Sequence, residues 1–97
     1  MSARAIVWTR RALARLDQIG AYIAADNPDA AARVVAHIVA SVNGLAEFPA
    51  SGRAGRIKTT RELVISGLPY IVAYRVTVVT IEILTVMHSA QQWPEAL

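Results

Sequence analysis

The chain predicts a two-layer α+β fold in the order β-α-α-β-β-β, with an antiparallel sheet packed against an N-terminal α-hairpin. Three observations carry this: an apolar period near 3.6 residues before Phe48, a period of two after Arg61, and short links throughout. The 97 residues make a single domain, 1–97, with no room for a second core.

Ala5 to Trp8 is a short apolar run ahead of a helix start, and reads as an outer strand. Thr9 offers a hydroxyl to cap the first helix. Ala12, Leu16, Ile19 and Ile23 then recur at four, three and four residues, one face of a helix. That helix stops before Asn27-Pro28, because a residue ahead of proline is pushed out of helical geometry. The same tripeptide, Asn27-Pro28-Asp29, opens a second helix: Asn27 caps, Pro28 fits the first turn, and Asp29 suits the positive end. Ala31, Val35, Ile38, Val42 and Leu45 form its stripe, widened by Val34, Val39 and Phe48, and Phe48-Pro49 ends it. Two helices joined by about two residues must run antiparallel.

Beyond residue 61 the pattern becomes that of strands. Arg61, Leu63 and Ile65 alternate with Glu62 and Val64, and Ser66-Gly67-Leu68-Pro69 is a turn. Tyr70, Val72, Tyr74 and Val76 alternate with Ile71, Ala73 and Arg75, and residues 79–86 form a third run rich in β-branched side chains. Their short links imply an antiparallel meander, one face of which packs on the helices.

A hydrophobic fraction of 55% supports a real interior and excludes disorder for most of the chain. No run reaches the roughly 18 apolar residues of a membrane span. Residues 1–11 lack the apolar core of a leader peptide. With no cysteine there is neither a disulfide nor a thiolate metal site, which fits a reducing compartment, and a cytoplasmic location is expected. His37 and His88 are the only histidines and lie far apart, so no metal and no cofactor are expected.

Charge is concentrated in the link between the two halves. Residues 50–61, Ala-Ser-Gly-Arg-Ala-Gly-Arg-Ile-Lys-Thr-Thr-Arg, hold Arg53, Arg56, Lys58 and Arg61 with no acid among them. The chain has 10 Lys and Arg against 7 Asp and Glu; without these four cations it would have 6 against 7. The whole basic excess thus sits in one connector, read as flexible from its glycines, where a charged partner can be gripped.

In their order, these residues resemble the RelE/ParE superfamily, the toxins of bacterial type II toxin–antitoxin modules. The likeness rests on Tyr22-Ile23 and Asn27-Pro28 at the helical bend, and on Leu45-x-x-Phe48-Pro49-x-x-Gly52-Arg53 after it. It continues in Arg61-Glu62-Leu63, Pro69-Tyr70-Ile71-Val72-Ala73-Tyr74-Arg75-Val76, Ile83-Leu84-x-Val86-x-His88 and Gln92-Trp93-Pro94. The resemblance implies a toxin held inactive by an acidic ParD- or RelB-like antitoxin, in a hetero-oligomer with it, and no membrane partner. ParE-type members inhibit DNA gyrase without covalent chemistry, whereas RelE-type members cut messenger RNA on the ribosome. Ile71 stands where RelE-type toxins carry a phosphate-binding arginine, and no tyrosine follows Tyr74. A ParE-like gyrase inhibitor is therefore expected, with a ribosome-dependent endoribonuclease as the alternative and a binding module without toxicity as a third reading.

Under the endoribonuclease reading the catalytic set is His88, suited to proton transfer near neutrality, with Arg56 and Arg61 on phosphate. Under either reading Arg53, Arg56, Lys58, Arg61, Arg75 and Trp93 are candidates for contacting the target or a nucleic acid. Bland roles stand beside these: a solvated loop for the cations, a half-buried side chain closing the sheet for His88, and a packed tail anchor for Trp93. Arg75 has a structural alternative, pairing with Glu62 or Glu82 across strands. His37 is read as a surface or satisfied core residue. The alanine-rich stretch 30–36 is either close helix packing or a shallow groove for an antitoxin helix.

Overall fold

A computed structural model describes residues 4–97. Residues 1–3, part of the segment read against a leader peptide, lie outside the described residues. The order is β1 (Ala5–Trp8), α1 (Arg10–Ala24), α2 (Pro28–Asn43), a 3-10 turn (Gly44–Ala46), β2 (Arg53–Ala54), β3 (Arg61–Val64), β4 (Tyr70–Val76) and β5 (Thr80–His88). One five-stranded sheet runs β1-β5-β4-β3-β2. The β2–β5 meander is antiparallel, and β1 joins its far side parallel to β5, with Ala5 opposite Thr80 and Trp8 opposite Ile83.

Both helix starts use the expected caps. Thr9 Oγ1 accepts from the Ala12 amide at 3.2 Å and donates to the Ile83 carbonyl at 2.8 Å, so the cap also ties α1 to β5. Asn27 Oδ1 accepts from the Ala30 amide at 3.0 Å, with Pro28 in the first turn of α2. Ala12, Leu16 and Ile19 of α1 and Ala31, Ile38 and Val42 of α2 are buried. All of these but Ala31 meet Ile65, just past β3, and Val72, Tyr74, Ile81, Ile83 and Val86 of the sheet in one core. Two details differ from the periodic reading. Leu45 is fully buried, yet it sits in the 3-10 turn after α2. Phe48 is 66% exposed and belongs to no stripe, because that turn rotates it off the helix face.

The sheet is covered on its second face as well. Ile71, Ala73 and Met87 alternate with the helix-side Val72, Tyr74 and Val86, so they point away from the helices, yet all three are buried. Between Ala73 and Tyr74 the register on β5 skips from Thr85 to Ile83. This bulge gives Leu84 no partner of its own, and both Leu84 and Thr85 are buried.

The crossing from the helical layer to β2 is pinned by one phenol. Tyr74 is fully buried; its hydroxyl donates to the Pro49 carbonyl at 2.7 Å and accepts from the Gly52 amide at 2.9 Å. A Cβ on Gly52 would lie 2.5 Å from that hydroxyl and 2.8 Å from the Glu62 carbonyl oxygen. The glycine is required by close approach, and the link it belongs to is not a flexible one. Burial pushes the Tyr74 phenol above its ordinary pKa, keeping it protonated as the donor this contact needs.

Gly52→Ala should therefore cost about 2 kcal/mol or more of stability by overpacking. Tyr74→Phe should cost about 1–3 kcal/mol by leaving the buried Gly52 amide and the half-buried Pro49 carbonyl without their partner. Urea unfolding followed by circular dichroism measures both, and losses under about 0.5 kcal/mol would show that this contact does not hold the crossing.

Candidate functional site

The basic connector is a β-hairpin. Arg53 and Ala54 pair with Glu62 and Arg61, and the Gly55 amide donates to the Thr60 carbonyl at 2.8 Å to close the loop between them. Its organising group is Glu62, which lies one residue beyond the cationic segment and whose side chain is only 2% exposed. Arg53 Nε and Nη2 donate to Oε1 at 3.2 and 3.0 Å. The Arg56 backbone amide and Nε donate to Oε2 at 2.8 and 3.1 Å, and its Nη2 donates to Oε1 at 3.3 Å. Burial by itself would raise the carboxyl's pKa; hydrogen bonds from Arg56 and Arg53 outweigh it and hold the group below its ordinary 4.5.

The cations therefore do not form one loose patch. Arg53 and Arg56 keep about half of their side chains in solvent (54% and 46%) while tied to Glu62. The Arg56 guanidinium also stacks on the Trp93 ring, 4.0 Å from its centroid. Glu62 shares a sheet face with Ala73 and Thr85, so the stack brings the C-terminal segment onto the face away from the helices. Trp93 is thus an anchor of the tail, though its Nε1 is buried without a hydrogen-bond partner. Lys58 is exposed at the loop tip, beside Thr59, whose φ of 67° is a costly conformation for a β-branched residue.

Arg61 turns to the helix side of the sheet and donates through Nη1 to the Gly52 carbonyl at 2.8 Å. Arg75 pairs with Glu82 at 3.6 Å, its cross-strand neighbour; the other anticipated partner, Glu62, is occupied by Arg53 and Arg56. His37 is exposed and its Nε2 meets the Ser66 carbonyl at 2.8 Å. Beside it, Ala30, Arg33 and Val34 line a shallow cavity of about 340 Å³ against the Ser66-Gly67-Leu68 turn.

His88 ends β5, four β4 positions from the level of Arg61. It lies opposite Tyr70, whereas Arg61 lies opposite Tyr74, roughly 13 Å further along β4. Arg56 is on the opposite sheet face. The three residues proposed as an endoribonuclease set do not converge.

His88 has different company, which periodicity and motif spacing do not reveal. It lines a groove of about 440 Å³ with Tyr70 and with Arg15, Gln18 and Tyr22 of α1. Tyr70 and His88 meet edge to face, with centroids 5.6 Å apart and planes at 87°. Arg15 Nε donates to the Val86 carbonyl at 3.1 Å, Nη1 to Gln18 Oε1 at 2.7 Å and Nη2 to Gln91 Oε1 at 2.9 Å. The helical spacing of 15, 18 and 22 is a usable signal, but it reads like any solvated face. Among the described residues no cluster of possible metal ligands occurs, and no helix is long and apolar enough to cross a membrane.

A family model described as the ParE toxin of the type II toxin–antitoxin system parDE matches residues 6–93. The chain is 64% identical over 97 residues to Y4kP of Sinorhizobium fredii, described as a toxin, with both chains covered in full. It is 38% identical over 86 residues to toxin RelE2 of Caulobacter vibrioides, covering 89% of this chain and 96% of that one. Among solved structures, a chain of the chromosomal ParDE system from P. aeruginosa has the same fold, with a TM-score of 0.80 and 29% identity over 89% of this chain and 96% of that one.

Glu62→Gln keeps the shape of the hub and removes its charge. At neutral pH it should cost about 2 kcal/mol, a figure moderated by solvent screening of the half-exposed arginines. The native carboxyl's contribution is complete above its unfolded value of 4.5 and drains as pH falls through the lower folded value. Urea unfolding across pH should show the gap between native and variant protein narrowing in acid. A gap that stays constant down to about pH 2 would refute the assignment.

Proposed function

The chain belongs to the RelE/ParE superfamily of type II toxin–antitoxin toxins, and from that premise we propose that it arrests growth by binding and inhibiting DNA gyrase. A cognate antitoxin holds it inactive until then. The observation that carries the gyrase reading is the dispersal of His88, Arg56 and Arg61 over two faces and different parts of the sheet. Cutting a phosphodiester needs a base, a phosphate clamp and an acid around one reacting group. Here Arg56 is committed to Glu62 and Trp93, Arg61 to the Gly52 carbonyl, and the position marked for a phosphate-binding arginine is the buried Ile71.

An inhibitor that works by docking needs only a stable, shaped surface. The β2–β3 hairpin supplies one: Lys58 at its tip, the solvent-facing halves of Arg53 and Arg56 behind it, and the Trp93 segment alongside. Arg75, paired with Glu82, contributes less free charge to this surface. The ribosome-dependent endoribonuclease remains as the second reading, favoured by one observation, the strand-end His88 in an open groove with Arg15 and two tyrosines.

Purified toxin added to gyrase and plasmid should block supercoiling or accumulate cleaved DNA, and Lys58→Glu should raise the toxin concentration required several-fold. His88→Ala should leave that inhibition intact. Untouched gyrase activity at toxin levels that stop growth, together with new cuts in ribosome-bound message that vanish in His88→Ala, would replace this reading with the second.

A further inference from the structure

Arg61 stands outside the docking surface, and the fold gives it other company. It lies on the helix side of the sheet near Val76, the last residue of β4, at the end of that strand away from the Tyr70–His88 pair. Arg4 reaches the same place from just before β1. The two side chains line one hollow of about 180 Å³, whose remaining walls are Pro49, Ala50 and Val76.

Each guanidinium is tethered at one corner and open at the others. Arg4 Nε donates to the Thr77 carbonyl at 2.8 Å, and its two terminal nitrogens keep their N–H groups for another acceptor. The tether that keeps Arg61 out of a set with His88 uses a single N–H of its fork, Nη1 donating to the Gly52 carbonyl at 2.8 Å. Neither guanidinium makes a second hydrogen bond or an ion pair among the described residues. The Pro49 carbonyl, on the facing wall, already accepts from the Tyr74 hydroxyl. Glu82 is held by Arg75, which alternates with Tyr74 and so lies on the other face of the sheet. Two like charges thus share a small hollow with donors to spare, and an anion between them turns their repulsion into attraction. The backbone tethers fix both forks in advance, which lowers the entropy lost on binding.

We propose that this hollow is a phosphate site, in which a tetrahedral oxyanion is held between Arg4 and Arg61. A carboxylate has two oxygens and satisfies one fork, whereas a phosphate has oxygens enough for both. The volume lies below the roughly 300 Å³ at which pockets for whole organic ligands begin, so the hollow recognises the phosphate itself. Past Arg61 and Val76 a second hollow of about 270 Å³ opens against Ala54, Thr59 and Thr60, where the organic part of a small ester can lie. The ligand is inorganic phosphate or the head of a small phosphomonoester; the chemistry at the arginines is shared. The site uses neither the Trp93 stack nor the His88 groove, and it stands whichever macromolecule the toxin disables.

NMR titration of the full chain in phosphate-free, low-salt buffer, following the amides of Ala50, Val76 and Thr77, tests the proposal. Inorganic phosphate should shift these resonances saturably, with a dissociation constant of about 1 mM, and added sodium chloride should weaken the binding. Tighter binding of glycerol phosphate identifies an ester as the ligand; equal or weaker binding identifies free phosphate. Arg4→Met should weaken the interaction by about tenfold or more. Arg61→Lys, which keeps the charge and loses the fork, should weaken it as well. Arg33→Ala, outside the hollow, should change nothing. If Arg61→Lys fails to fold, Arg4→Met decides alone, because Arg4 precedes the first strand and lies outside the core. Unshifted resonances at about 20 mM phosphate, unchanged affinity in Arg4→Met, or tighter binding of acetate or succinate than of phosphate would each overturn the assignment.

Discussion

A carboxylate taken out of water is tolerable only when donors surround it, and Glu62 organises one whole edge of this protein by meeting that demand. Two arginines and a backbone amide converge on it. Satisfying the acid draws Arg53 onto β2, folds the loop so that the Arg56 amide points inward, and fixes the guanidinium on which Trp93 lies. The hairpin, the closing of the second sheet face and the path of the tail all depend on one group. Tyr74 acts from the other side, fixing the approach of Gly52 through hydrogen bonds and leaving no room for a side chain there.

This arrangement changes what the basic segment offers. Its formal charge looks like a uniform grip for a polyanion, but Glu62 neutralises part of it and Arg61 faces elsewhere. What remains outward is a shaped surface of modest charge. The similarity to proteins named ParE and RelE alike shows the toxin class and the shared fold.

Most of the fold is legible from the residues. Thr9 and Asn27 mark both helix starts, Pro28 fixes the bend, and the alternation through β4 separates helix-side Val72 and Tyr74 from outward Ile71 and Ala73. The site is less legible, for physical reasons. Gly52 and Gly55 read as looseness because a sequence shows what a glycine permits and not what presses against it. Glu62 does not stand out as the counter-ion because β2 is two residues long and gives no periodic signal, so its pairing with Arg53 leaves no trace in the pattern. Arg15 and Tyr22 belong to the polar side of an amphipathic helix, and only the fold brings them beside His88, more than sixty positions away.

The parallel pairing of β1 with β5 bears on how the molecule is made. Residues 5–8 find their partners at 80–83, and β5 is flanked by β1 and β4, so the interior stays open until the last strand is available. A nascent chain still held in the ribosomal exit tunnel has released its helices but not the strand that seals them. Maturation thus waits for β5, and products that stop before it have no means of closing the sheet. For a chain of a toxin family, this topology withholds the folded form from every copy that stops short of β5.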